Sequence, residues 1–141
     1  MKKILIVEDD EKVAKALELR IRNAGYDTAV ASDGYSGVSA VAKTNPDLVL
    51  LDINMPAGNG FTVAERIRTL VPQRTPIIFI TASKKPEFFD RAMALGASGY
   101  IEKPYDPAQV LALLANVLNK PTPQPAIPPN ADSYLKPGRK I

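Results

Sequence analysis

Four places in this chain hold residues whose chemistry could work together: the acidic run Glu8-Asp9-Asp10-Glu11, then Asp52, then Thr81, then the pair Lys103-Pro104. Carboxylates held within a few ångströms of one another repel and raise each other's pKa unless a cation neutralises them. A hard divalent ion such as Mg2+ suits such a cluster, because it takes oxygen ligands and often binds through one or two carboxylates plus a phosphate. Lys103 would add a point positive charge and Thr81 a hydroxyl donor, and the two could hold the oxygens of a phosphoryl group. Asp52 is then the candidate nucleophile, since an aspartyl phosphate is a recognised covalent intermediate of carboxylate nucleophiles.

Those residues converge only if the elements before them place them at one edge. Each follows an apolar run: Ile4 to Val7, Leu48 to Leu51, Ile77 to Ile80, and Tyr100-Ile101. Continuous apolar runs, as opposed to alternating ones, are expected of strands covered by helices on both faces, as in parallel sheets. The polar residues would lie at the strands' carboxyl ends, the edge at which open parallel sheets bind ligands.

Amphipathic stretches separate the runs, the sequence form of repeated βα units. Val13, Leu17, Ile21 and Ala24 recur at helical spacing, with Gly25 as the stop, and Asp27 to Ala31 reads as a short second strand. A helix from about Gly34 to Lys43 would bury Val38, Val41 and Ala42, ending at Asn45-Pro46-Asp47. Phe61, Ala64, Ile67 and Val71 give a third buried stripe, and Phe88, Ala92 and Leu95 a fourth in a helix from Pro86 to Leu95 closed by Gly96. Asp106-Pro107 is an N-cap followed by a proline in the first turn, opening a fifth helix to about Asn119. In the acidic run, Asp10 and Glu11 suit a helix start, where acids are favoured.

With the motifs in place, the chain resembles the CheY-like receiver domain of bacterial two-component response regulators over roughly residues 1 to 119. The resemblance is carried by Ile4 to Asp10, by Asp52-Ile53-Asn54-Met55-Pro56 with Gly60 following, by Ile80-Thr81-Ala82, and by Gly99-Tyr100-Ile101-Glu102-Lys103-Pro104, in that order and spacing. It implies an α/β, flavodoxin-like, doubly wound five-stranded parallel sheet, order 2-1-3-4-5, with helices on both faces. It implies that Asp52 is the phosphoacceptor and that Asp9 and Asp52 ligate Mg2+ directly. Asn54 would contribute its backbone carbonyl to the metal, and Glu8 would act mostly through water. Lys103 would pair with the phosphoryl group, before a Lys-Pro bond that the family usually keeps cis. Thr81 would be the switch hydroxyl, the Ala82 backbone N–H a second phosphate donor, and Tyr100 the switch aromatic that turns inward when Thr81 moves. A sensor histidine kinase or phosphotransfer protein would supply the phosphoryl group, and the response would reshape the surface of the fourth helix, fifth sheet strand and fifth helix. The downstream effector is not identified by the sequence.

Composition narrows the alternatives. At 141 residues, 45% of them hydrophobic, the chain is sized for one domain with a core plus an appendage. It has no cysteine and no histidine, which excludes disulfides, thiolate metal sites and a phosphohistidine of its own. Residues 1–119 hold 14 basic and 14 acidic side chains, so the net charge of +3 lies in the tail, and the sequence pI near 9.2 is no nucleic-acid signature. Six of the 13 prolines fall within residues 120–141, which read as a basic, proline-rich linker or tail without fixed structure. The four-residue apolar run after Met1-Lys2-Lys3 is too short for a signal peptide or a membrane span, so a cytoplasmic protein is expected.

The expected role is a signalling switch and not a metabolic enzyme. Its closest enzyme rival, an aspartate-nucleophile phosphatase of the haloacid dehalogenase type, needs a second Asp where this chain has Asn54, which cannot transfer a proton. A receiver piece of a longer transcription regulator is the other alternative. The winged-helix subfamily usually carries an Asp-Asp pair where Ser98-Gly99 stands here. Ala108, Ala112 and Ala115 lie in a last helix with few charges, leaving room for a partner or for phosphorylation-dependent self-association.

Overall fold

The computed structural model describes residues 1–55 and 58–119; Pro56 of the second motif and the proline-rich segment 120–141 lie outside the described residues. In chain order the elements are β1 (Lys3–Val7), α1 (Glu11–Asn23), β2 (Asp27–Ala31), α2 (Gly34–Thr44), β3 (Leu48–Asp52), β4 (Asn54–Met55), β5 (Gly58–Asn59), α3 (Gly60–Leu70), β6 (Ile77–Thr81), α4 (Pro86–Ala94), β7 (Gly99–Glu102) and α5 (Pro107–Asn119). Five strands form one sheet in the order β2-β1-β3-β6-β7, with every neighbour parallel. Counting only its own strands, this is the expected 2-1-3-4-5. The small antiparallel ladder of β4 and β5 was not foreseen, because its two-residue strands carry no period that a sequence pattern can register.

Continuous burial of β1, β3 and β6 follows from helices on both faces. Leu5, Val7, Val49, Leu51, Ile77 and Phe79 point into one core with Val41, Phe61, Ala64, Ile67 and Ala92. Ile4, Ile6, Leu48, Leu50, Ile78, Ile80 and Ile101 point into the other, with Leu17, Ile21, Val110 and Leu114. Phe61 sits 5.5 Å from Phe79 and 5.4 Å from Phe88, joining α3 to the sheet and to α4.

Helix ends follow their residues. Asp10 caps α1 by accepting from the Lys12 and Val13 N–H groups, and the Asp106 carboxylate accepts from Ala108. Gly25 and Gly96 take positive φ where α1 and α4 stop.

Two helix faces differ from expectation. Ala24 is the exposed cap of α1, and the buried positions are Ala14, Leu17 and Ile21. In α2, Ala42 is exposed and Val38 half-buried, while Gly34, Gly37 and Val41 are buried. A Cβ on Gly37 would come 3.1 Å from Val7, so this helix packs its backbone close to the sheet where a hydrophobic stripe was expected.

Candidate phosphoacceptor and metal site

The sheet ladder continues one residue past the strand ends, and this positions the functional side chains. Glu8 N–H donates to the Ala31 carbonyl at 3.0 Å, Ile53 N–H to Ile80 at 2.9 Å, and Lys103 N–H to Thr81 at 2.7 Å. Val7 pairs with Leu51 and Asp52 with Ile80, so Glu8, Asp52 and Thr81 stand side by side at the carboxyl edge. Gly60 closes the loop that follows Asp52: its N–H donates to the Ile53 carbonyl at 3.0 Å, and an added Cβ would lie 2.5 Å from the Asp52 carbonyl oxygen. Only glycine lets the start of α3 come this near.

Carboxylate oxygens of Glu8, Asp9 and Asp52 lie within 4.8 Å of one another. Glu8 and Asp52 are buried, each 3% exposed, while Asp9 is half-exposed at the rim. Lys103 Nζ reaches Glu8 Oε1 at 3.4 Å and Asp52 Oδ2 at 3.5 Å. The Lys103-Pro104 bond is cis. Burial pushes the Glu8 carboxyl up to about 7, and the Asp52 charge pushes the same way. The Asp10 N–H bond and the Lys103 ammonium offset only part of this. Burial works against the Lys103 charge, but the carboxylates of Asp52 and Glu8 outweigh it and raise its pKa.

The donor set fits a hard divalent cation: three hard oxygen donors converge, one from a half-exposed residue, with more negative charge than one lysine balances. Glu8, which the resemblance casts as acting through water, offers one of the three converging carboxylate oxygens, within 4.8 Å of those of Asp9 and Asp52.

A second, uncharged half lies beside this one. Thr81 Oγ1 donates to Asn54 Oδ1 at 2.7 Å, Ala82 N–H donates to the same oxygen at 3.0 Å, and Ser83 N–H donates to Thr81 Oγ1 at 2.9 Å. Asn54 N–H in turn donates to Asp52 Oδ1 at 3.0 Å. The resemblance implies a role for the Asn54 backbone carbonyl alone, and the side-chain oxygen's part in this network goes beyond it. The Asp-x-Asn spacing was the available signal, but it does not reveal which way an exposed carboxamide turns.

The structure thus brings Glu8, Asp9, Asp52, Asn54, Thr81, Ala82 and Lys103 to one place. Family comparisons fit that constellation. The family model described as the response regulator receiver domain matches residues 4–115. The chain belongs to this family. Among relatives of the receiver, the response regulator ArlR of Staphylococcus saprophyticus is 38% identical over 122 residues, covering 85% of this chain and 54% of ArlR. The DNA-binding response regulator MtrA of Mycobacterium tuberculosis is 37% identical over 126 residues, covering 88% and 54%. The chain therefore spans about half the length of these curated relatives. Its fold matches the non-phosphorylated HemR receiver domain from Leptospira biflexa at TM-score 0.81 and 31% identity, over 88% of this chain and 99% of that one. Vibrio cholerae CheY4 matches at TM-score 0.79 and 31% identity, over 84% and 99%.

Farther along the receiver's sheet, the half-buried Tyr100 ring packs edge-on against Phe89 at 5.3 Å, and its buried hydroxyl has no hydrogen-bond partner among the described residues. Phe89 and Met93 leave α4 with apolar surface exposed. On α5, Ala108 and Ala112 are exposed and Ala115 is half-buried. Among the described residues, no helix is long and apolar enough to cross a membrane.

Proposed function

We propose that this receiver is a phosphoacceptor switch of a two-component system, modified on Asp52 by the phosphohistidine of a sensor histidine kinase or phosphotransfer protein. The observation that carries the reading is the buried Asp52 carboxylate grouped with Glu8 and Asp9 and 3.5 Å from Lys103 Nζ. An Asp52 oxygen attacks the phosphorus, the P–N bond to the donor imidazole breaks, and its electron pair leaves with the imidazole nitrogen. Glu8, Asp9 and Asp52, with the Asn54 carbonyl, would hold Mg2+, which supplies positive charge against the carboxylates and the transferring oxygens. Lys103 orients a phosphoryl oxygen, and the Thr81 hydroxyl and Ala82 N–H are placed to donate hydrogen bonds to the others. Water later hydrolyses the acyl phosphate, returning the carboxylate.

The new dianion gives Thr81 a stronger acceptor than any neutral group, and its movement biases Tyr100. The effect is read on the surface formed by α4, β7 and α5, where Phe89 and Met93 are exposed. The receiver works as a switch within the cytoplasm, and residues 120–141 act as a tail or linker.

The test is intact mass after incubation with a small-molecule phosphodonor, with and without Mg2+. A gain of one phosphoryl group only with the metal is expected; no gain under either condition would overturn the reading.

A second reading extends the first: the receiver is one part of a longer DNA-binding regulator. The favouring observation is that it spans 54% of relatives that include a protein described as DNA-binding. The balanced charge of residues 1–119 supports a DNA contact made by a part other than the receiver itself.

A further inference from the structure

We infer that the Asn54 side-chain oxygen is a resident stand-in for a phosphoryl oxygen, holding the Thr81 and Ala82 donors until the modified Asp52 displaces it. The inference rests on the Asp52 phosphoacceptor reading and makes Asn54 a positioning residue that sets how easily that site engages its anion.

A threonine hydroxyl has one proton to give and two lone pairs. Ser83 N–H already donates to Thr81 Oγ1, so the hydroxyl proton is free to point elsewhere, and it points to Asn54 Oδ1 at 2.7 Å. Ala82 N–H has no other choice than to donate, and it meets the same atom at 3.0 Å. Two donors converging on one atom require an acceptor there, which fixes the carboxamide with its oxygen inward and its NH2 outward. The two donors a phosphoryl group on Asp52 would use are therefore occupied.

Asn54 is also tied to the nucleophile, because its own N–H donates to Asp52 Oδ1 at 3.0 Å. One residue thus bridges the reacting carboxylate and the donors on the neighbouring strand. Its side chain is exposed, so the carboxamide has solvent to swing into once displaced. An anionic oxygen makes charge-assisted bonds roughly twice as strong as those to a neutral amide, so a phosphoryl group wins the exchange. What it loses is the neutral bond it breaks. The resident oxygen keeps Thr81 and Ala82 oriented toward the anion site before any anion arrives, and it makes their engagement a competition.

The test uses beryllofluoride with Mg2+ as the phosphoryl mimic, titrated into the full chain and followed by amide NMR. Asn54→Ala retains the backbone carbonyl and N–H but removes the competing oxygen. It should bind the mimic roughly threefold to tenfold more tightly than wild type, the scale of one net hydrogen bond. In the ligand-free protein the Ala82 amide proton should exchange faster in this variant, a change that a side chain serving only as packing would not produce. In a Thr81→Ala background the Asn54→Ala gain should shrink, since only the Ala82 bond is left to compete. Equal or weaker binding by Asn54→Ala, in protein that still takes the mimic, overturns the inference and leaves the Asp52 reading standing. Failure of wild type to bind the mimic at all, or binding that does not depend on Asp52, overturns both.

Discussion

The site has two halves that solve opposite problems. Toward β1 and β3, carboxylate oxygens of Glu8, Asp9 and Asp52 crowd within 4.8 Å, and among the described residues Lys103 is the one cation paired with Glu8 and Asp52. Toward β6, Asn54, Thr81 and Ala82 form a neutral network in which the Thr81 hydroxyl and the Ala82 and Ser83 N–H groups already have acceptors. Both halves are held by the same sheet edge, so the backbone does not distinguish them. What differs is the electrostatic balance. The charged half is strained by repulsion and burial until a cation arrives, whereas the neutral half is satisfied at rest and must be broken before it can respond. A receiver arranged this way separates readiness for chemistry from readout of its result.

Removing the reacting group of the charged half should have the largest effect. Asp52→Asn is close in shape but cannot act as a nucleophile, so phosphoryl incorporation should fall to zero in intact mass while circular dichroism stays native. Full incorporation in that variant would show that the two halves do not meet at Asp52.

Next comes the charge itself. Asp9→Asn deletes one of three negative ligands at a few ångströms and should weaken Mg2+ by on the order of tenfold or more, read by calorimetric titration. An unchanged affinity would remove Asp9 from the charged half.

A smaller effect should appear with pH. The Glu8 carboxyl, ordinarily near 4.5, sits at about 7 in the fold chiefly because it is buried. The folded state therefore holds this proton when the unfolded chain has lost it, so stability falls as pH rises from about 4.5 to 7. Below that window the acid is protonated in both states and the penalty vanishes; above it the penalty is complete. The chain has no histidine to confuse the reading. In metal-free protein the melting temperature should drop across the window, Glu8→Gln should flatten the profile, and Mg2+ should oppose the fall. A flat wild-type profile without metal would mean that the charged half is better solvated than its burial implies.

Thr81→Ala should alter uptake least, because it leaves the carboxylates and Lys103 in place. Phosphate should still be incorporated on Asp52, yet amide shifts in α4, β7 and α5 on adding a phosphoryl mimic should shrink. Shifts of wild-type size would place the route of the signal outside the neutral half.

Much of this was legible in the chain before it folded. Apolar runs without alternation announced strands buried on both faces, and caps such as Asp10 and Asp106 announced where helices begin, because both are set by local chemistry. The four polar motifs at strand ends announced the charged half, since a parallel sheet must bring its carboxyl ends to one side. Other features needed the third dimension. Arg68 donates to the Thr75 carbonyl at 2.7 Å and reaches Leu95 at 3.4 Å, tying α3 to the end of α4 across 27 residues. Gly34 and Gly37 form the buried face of α2 because that helix lies against β1 and α3, which no helical period reveals.

By itself, then, the amino-acid order determined the five strands of the main sheet, the helices, their caps and the residues available at the edge, because these depend on neighbours in the chain. The tertiary structure alone decided that Glu8 is buried beside Asp52 and that the Asn54 oxygen takes the donors of Thr81 and Ala82. Burial and hydrogen-bond partners are properties of what folding brings close, and these partners lie 27 and 28 residues apart.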